Sequence, residues 1–186
     1  MKLGLKRDEV RLAPYNEEWQ KEFERVKKEL VGSGVFQEEQ VEHIGSTAIR
    51  GMDAKPIVDI LAGVQEIGQV DKSLFQKLSS LGFLQLKVQR PDEIILAKFT
   101  DDTYQEKTHF LHLVTYQGEL WKDLLFFRDY LNAEKEARKQ YLRIKHRYVQ
   151  KHATGIKDYT DSKEAFVKEI VLKQKRTEQE KNNRVY

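Results

Sequence analysis

Residues 43–64 read HIGSTAIRGMDAKPIVDILAGV, and the fold turns on how this stretch divides. The apolar run near Val41–Ile44 has strand composition and ends at Gly45, Ser46 and Thr47. The run from Pro56 to Val64 is apolar and rich in β-branched residues, which predicts a buried strand. Two adjacent strands would bring the hydroxyl turn and Asp59 together. Gly45 would let a ligand approach the backbone, Ser46 and Thr47 supply hydroxyls, and the free N–H groups of the turn favour an anion. Lys55 adds a compact cation. A carboxylate inside PIVDILAGV needs a metal, a lysine or N–H groups as partner, because an unpaired buried charge is costly.

Working outward, Trp19, Phe23, Val26 and Leu30 fall at i, i+4, i+7 and i+11, an apolar helical stripe. Asn16 stands before it as a cap, Glu17 and Glu18 sit in its first turn, and Gly32 closes it. Lys72–Leu81 reads as a helix stopped by Gly82. Phe83–Val88, Ile94–Phe99 and His109–Thr115 have strand composition. After Gly118 the pattern becomes helical: one segment to Asn132, a basic one over Ala133–Lys151, and a third from Thr160 or Asp161. The expectation is one α+β domain over 1–186, with a mixed sheet of about five strands flanked by helices. Its sheet half spans about 10–116, its helical half about 118–174, and 175–186 form a mobile tail.

The chain carries 33 basic and 30 acidic residues, a formal charge of +3. The balance is uneven: residues 128–186 hold 16 basic against 9 acidic side chains, a local +7. That asymmetry points to a phosphate-bearing ligand or, less strongly, to nucleic acid. The absence of cysteine excludes disulfides, thiolate nucleophiles and Cys-type zinc sites. No run approaches the roughly 18 apolar residues of a membrane span. MKLGLKRDEV lacks the apolar core of a secretory signal. A cytoplasmic protein without membrane partners is expected.

The run EHIGSTAIRGMDAKPIVDILAGV, the opening APYNEEWQKEF, and the stretches THFLHLV, LLFFRDYL and DYTDSKEAFV resemble the GrpB family across residues 11–172. The resemblance implies a nucleotidyltransferase-like fold of the DNA-polymerase-β type. It implies no particular reaction, although a GrpB-like domain joined to dephospho-CoA kinase suggests a nucleotide or coenzyme context. The wider superfamily is similar in placing a hydrophobic residue, Gly, and Gly or Ser ahead of Asp–hydrophobic–Asp/Glu. Ile44-Gly45-Ser46 and Asp59-Ile60 match; Leu61 stands where the second carboxylate belongs. Paired acids there hold two divalent ions about 3.5–4 Å apart, so Asp59 alone supports at most one weakly bound ion.

Other residues complete the candidate site. His109 and His112, three apart on a strand, point to opposite faces. If His112 meets Asp59 and His43, the three form a mixed set for a divalent metal (Mg, Mn or Zn), and Asp59 with His112 forms a catalytic acid–base pair. Gly45, Ser46, Thr47, Lys55 and Arg128 are the candidate phosphate ligands, the arginine through bidentate contact. Arg128 also fits a helix-locking ion pair, and Arg90 a turn at a cleft rim. Tyr159, Thr160 and Lys163 fit the start and face of the last helix, and His146 and His152 the surface. The function expected is binding of a nucleotide or other phosphate-bearing small molecule at the GSTA…KP…D segment, with divergent transferase chemistry. A non-catalytic nucleotide or coenzyme sensor and a nucleic-acid-associated protein are the alternatives.

Overall fold

The computed structural model describes residues 2–88 and 90–183, with side chains described to residue 176. Six strands form one mixed sheet: β1 (Leu5–Lys6), β2 (Val41–Ile44), β3 (Val58–Val64), β4 (Leu84–Gln85), β5 (Ile94–Phe99) and β6 (Glu106–Thr115). Their order is β2-β3-β6-β5-β4, with β1 pairing the start of β6. Only β3 and β6 run parallel; the other neighbours are antiparallel. The α+β expectation holds, with one strand more than expected. β1 is two residues long and too short to leave a periodic signal. The stretch Phe83–Val88 shrinks to β4 because its ladder covers Leu84 and Gln85, opposite Ala97 and Leu96, and ends with the Leu86 N–H donating to the Ile95 carbonyl.

Five helices surround the sheet: α1 (Glu18–Gly32), α2 (Lys72–Ser80), α3 (Glu119–Ala133), α4 (Lys135–Val149) and α5 (Ile156–Asn183). The α1 stripe of Trp19, Phe23, Val26 and Leu30 is buried against Val58, Ile60, Ala62 and Leu111. Asn16 Oδ1 accepts from the Glu18 N–H at 2.8 Å, as its sequence position suggested. The opposite sheet face is thinner, with Ile44, Leu61 and Val114 covered by Trp121 of α3. A third cluster ties the loop after β2 to the helical half, through Ile49, Met52, Leu131, Tyr141, Phe166 and Ile170. This junction places the loop against α3, α4 and α5.

α5 starts four residues before Thr160, and it continues through the tail expected to be mobile: 175–183 are helical, and 184–186 lie outside the described residues. Lys, Gln, Arg and Glu are good helix formers, so the low apolar content there does not break the helix. Among the described residues no helix is long and apolar enough to cross a membrane.

Candidate functional site

Strand alternation decides which side chains meet. β2 and β3 pair with Ile44 opposite Asp59 and His43 opposite Ile60. Asp59 and Leu61 therefore share the thinner face, while His43 points to the α1 side. β6 places Leu61 beside His112, and β5 places Ile95 on the other side of it. His112 consequently joins Asp59, whereas His109 turns to the α1 face and stands 3.0 Å from Glu22. The opposite orientation of the two histidines follows the spacing read from the sequence.

Gly45 makes the Asp59 position possible. Its backbone is left-handed (φ 70°), and an added Cβ would fall 2.2 Å from Asp59 Oδ2. The space that a side chain would fill is taken by the Asp59 carboxylate, not kept open for a ligand. Ser46 begins a single 3₁₀ turn, Ser46–Ala48, and its hydroxyl meets the phenol of Tyr141 from α4. Burial holds the Tyr141 hydroxyl protonated, and the negative charge of Asp59 adds to that.

Beyond Asp59 runs a relay of alternating charge. His112 Nε2 lies 3.5 Å from Asp59 Oδ1, and His112 Nδ1 lies 2.5 Å from Glu93 Oε1. Glu93 Oε2 in turn accepts from Arg90 at 2.5 Å. Burial disfavours the His112 imidazolium, but the two carboxylates outweigh it and push the ring up to about 9. Burial likewise works against the Glu93 carboxylate, yet His112 and Arg90 hold it below the usual range. Asp59 keeps 29% of its side-chain surface open, so the relay ends at a partly exposed carboxylate.

Three lysines face the same region from separate segments. Lys55 and Lys163 lie over the Tyr159 ring, 5.5 Å and 4.0 Å from its centre. Among the described residues neither ammonium group is hydrogen-bonded or ion-paired to a carboxylate within contact distance. Asp59 is the negative charge that acts on both. Lys145, 0% exposed, donates to the backbone carbonyl of Asp53 at 2.5 Å and sits over Tyr141. Burial and the charge of Lys55 press Lys163 down to about 7. Burial and the charges of Lys163 and Lys55 do the same to Lys145, also to about 7, with Asp53 opposing.

Several sequence-derived candidates have other partners. Thr47 is buried, and its Oγ1 contacts His43 Nε2 at 3.0 Å. His43 Nδ1 meets Gln20, its ring stacks on Phe23, and burial lowers its pKa to about 4. Arg128, expected as a phosphate ligand, is engaged by protein partners at the end of β2. It donates to Glu42 at 2.6 Å and to the His43 carbonyl at 3.0 Å, and its Nε bonds Asp129. It thus locks α3 onto the free edge of β2, beside a cleft of about 570 Å³ that also borders Gln20, Arg50 and Asn132. His146, expected at the surface, meets Asp53 at 2.9 Å.

The expected metal set of Asp59, His112 and His43 does not converge, since His43 occupies the other sheet face. Among the described residues no group of three or more His, Asp or Glu side chains is placed to hold a metal ion. His112 turns both ring nitrogens toward carboxylates, an arrangement that suits two N–H donors and leaves no lone pair for a cation. These donors do not fit a divalent ion. What the sequence reading missed is Glu93, Tyr141 and Lys145, and it took Tyr159 and Lys163 as helix-facing residues. The signal for Lys145 was its place in the apolar line of α4, four residues after Tyr141.

The family model described as "GrpB protein" matches residues 9–173. The "Glutamate-rich protein GrpB" of Alkalihalophilus pseudofirmus is 39% identical over 170 residues, covering 91% of this chain and 98% of that one. The crystal structure of the conserved protein GrpB from Enterococcus faecalis superposes with a TM-score of 0.74 at 28% identity, over 88% of this chain and 96% of that one. A more distant relative, a dephospho-CoA kinase of Mycolicibacterium paratuberculosis, is 25% identical over 189 residues, which cover 89% of this chain and 46% of that protein.

Proposed function

The chain belongs to the GrpB family, and on that premise we propose that its Gly45–Asp59 segment binds a nucleotide or another phosphate-bearing small molecule. The observation that carries this reading is the pair Lys55 and Lys163, two ammonium groups on one aromatic ring with no carboxylate in contact. Buried cations without counter-ions are expensive. A phosphate group meeting the two lysines would supply the missing negative charge through charge-assisted hydrogen bonds. The Tyr159 ring is buried beneath the two lysines, and the Ser46 hydroxyl meets the buried phenol of Tyr141. His112, charged at neutral pH, lies behind Asp59 and can hold that carboxylate in place or supply a proton through it.

The dephospho-CoA kinase relative accords with a nucleotide or coenzyme ligand. The nucleic-acid reading is weaker: Lys139, Lys157, Lys168 and Lys173 are each paired with a carboxylate three or four residues away on the same helix. Those pairs occupy four of the lysines, while the net excess of +7, which already counts these carboxylates, is unchanged. The test is a thermal-shift screen of the full chain against nucleotides, coenzyme A precursors and inorganic phosphates, with and without divalent ions. A ligand at about 100 times its Kd adds about 2.7 kcal/mol. A stabilising phosphate compound whose effect disappears in Lys55→Met supports the reading. Stabilisation by none of them, alongside salt-sensitive binding of DNA or RNA, would overturn it in favour of the basic helices.

A further inference from the structure

We infer that the phosphate ligand is anchored by a lysine cluster, Lys55 and Lys163 backed by Lys145, in the place of a divalent metal. The inference rests on the proposed phosphate reading of the same region and goes a step further, to how the charge is met.

The paired-acid arrangement is closed off by packing. Leu61 lies on the Asp59 face, but it is fully buried among Ile44, Val114 and Trp121, so position 61 presents methyl groups where a second carboxylate would coordinate. Asp59 is itself committed. One oxygen lies over the bare backbone of Gly45 and the other toward His112 Nε2. His112 is held from behind by Glu93, and Glu93 by Arg90. The cation beside Asp59 is therefore part of the protein, delivered by β6 and fixed by two further side chains.

Near Asp59 the lysines supply what a metal would. A divalent ion brings two positive charges to a phosphate chain, and Lys55 and Lys163 together bring two. They arrive from distant parts of the sequence, the loop before β3 and the second turn of α5, and meet on one ring. Lys145 cannot reach the ligand, being fully buried. It holds the carbonyl of Asp53, two residues before Lys55, and so fixes the loop from beneath while adding a third charge. A monophosphate carries two negative charges at most. Three lysines offset by the single carboxylate of Asp59 leave a net charge of two, enough to meet one phosphate group without a divalent ion. Lysine acts there as a point charge and does not require the fixed geometry of a metal shell.

Isothermal titration of the full chain with sodium tripolyphosphate in excess EDTA, repeated with magnesium, tests this. Saturable binding in EDTA is expected, equal or weaker once magnesium competes for the phosphates. Lys163→Met should weaken it at least tenfold, Lys163→Arg by only a few fold, and the exposed control Lys28→Met not at all. If circular dichroism shows Lys163→Met unfolded, Lys55→Met replaces it with the same expectation. Binding seen only with magnesium would overturn the inference while leaving the phosphate-binding reading standing. Binding in EDTA that the folded lysine variants leave unchanged would also overturn it. No binding of tripolyphosphate or of any nucleotide, with or without metal, would remove both.

Discussion

Glu93→Gln is the substitution that reads the Asp59–His112–Glu93 relay most directly. It keeps the side-chain shape and removes one of the two charges that hold the imidazolium. His112 is pushed up to about 9 despite burial. Measured from an ordinary histidine value near 6.5, that rise is worth about 3 kcal/mol in favour of the protonated folded protein. Because the folded value is the raised one, this stabilisation is complete below about pH 6.5 and is lost as pH climbs through about 9. Two carboxylates share the effect, and Glu93 makes the shorter contact, 2.5 Å against 3.5 Å. Glu93→Gln should therefore lower the His112 pKa by about one or more and remove about 1–2 kcal/mol of stability near pH 6. Histidine-labelled NMR titration gives the first number and urea denaturation across pH the second. Lys145 and Lys163 titrate in an overlapping range with the opposite sign, because a depressed lysine gains stability as pH rises from about 7 toward its unfolded value. Their contributions cancel in the difference between wild type and Glu93→Gln, which is the quantity to plot. A wild-type His112 that titrates at or below 6.5, or one that ignores Glu93→Gln, would refute the relay.

Gly45→Ala should cost about 2–4 kcal/mol, from a left-handed backbone and an Asp59 forced off its rotamer, and lower Tm by several degrees in calorimetry; a loss under about 1 kcal/mol would mean that the loop relaxes freely. Lys145→Met should stabilise the protein at pH 7 by about 1 kcal/mol or more, since a buried charge is exchanged for an apolar chain of similar length, and urea melts should show the gain shrinking toward pH 10; a destabilised variant would show that the bond to the Asp53 carbonyl dominates. Leu61→Asp should destabilise by about 4 kcal/mol or more, through lost packing and an unpaired buried charge; a Tm restored by millimolar magnesium or manganese would place an ion site at position 61. Arg128→Ala should cost about 1–3 kcal/mol by leaving Glu42 unpaired and leave tripolyphosphate affinity unchanged; a tenfold loss of affinity would return Arg128 to the binding site.

The sheet was legible in the sequence because its strands bury their periodic faces. β2 and β5 have the bounds that composition suggested, and the α1 stripe is buried at all four expected positions. The meeting of Asp59 with His112 and the parting of His109 from it follow from two-residue alternation alone. The rest of the site depends on contacts that no local pattern encodes. Glu93 lies next to β5, outside any motif, and joins His112 only because β5 pairs β6. His43 looked like a ligand from its nearness to Gly45, but one residue of register puts it on the α1 face. Lys145 and Lys163 lie among many lysines and arginines on basic helices. Composition cannot tell a buried ammonium group from a solvated one. That distinction is made by the docking of α4 and α5 onto the loop of Ile49 and Met52.

That docking bears on why the helical half is present at all. The strands provide Gly45, Asp59, Glu93 and His112, which form a self-contained set with both signs of charge. Tyr141, Lys145, Tyr159 and Lys163 come only from α4 and α5. They carry two of the three lysines of the cluster, so a sheet half alone would hold Asp59 with Lys55 but without Lys145 and Lys163. Both lysines pressed down to about 7 belong to these helices. A core built for stability alone would have placed apolar chains there, since paired or apolar alternatives spare the desolvation cost. Local rules are obeyed elsewhere in the helical half, where exposed lysines meet glutamates three or four residues away. They are broken where α4 and α5 meet the loop after β2. Departures of this kind concentrate where function requires them, and here the departure lies where the charge of Asp59 acts on Lys55 and Lys163.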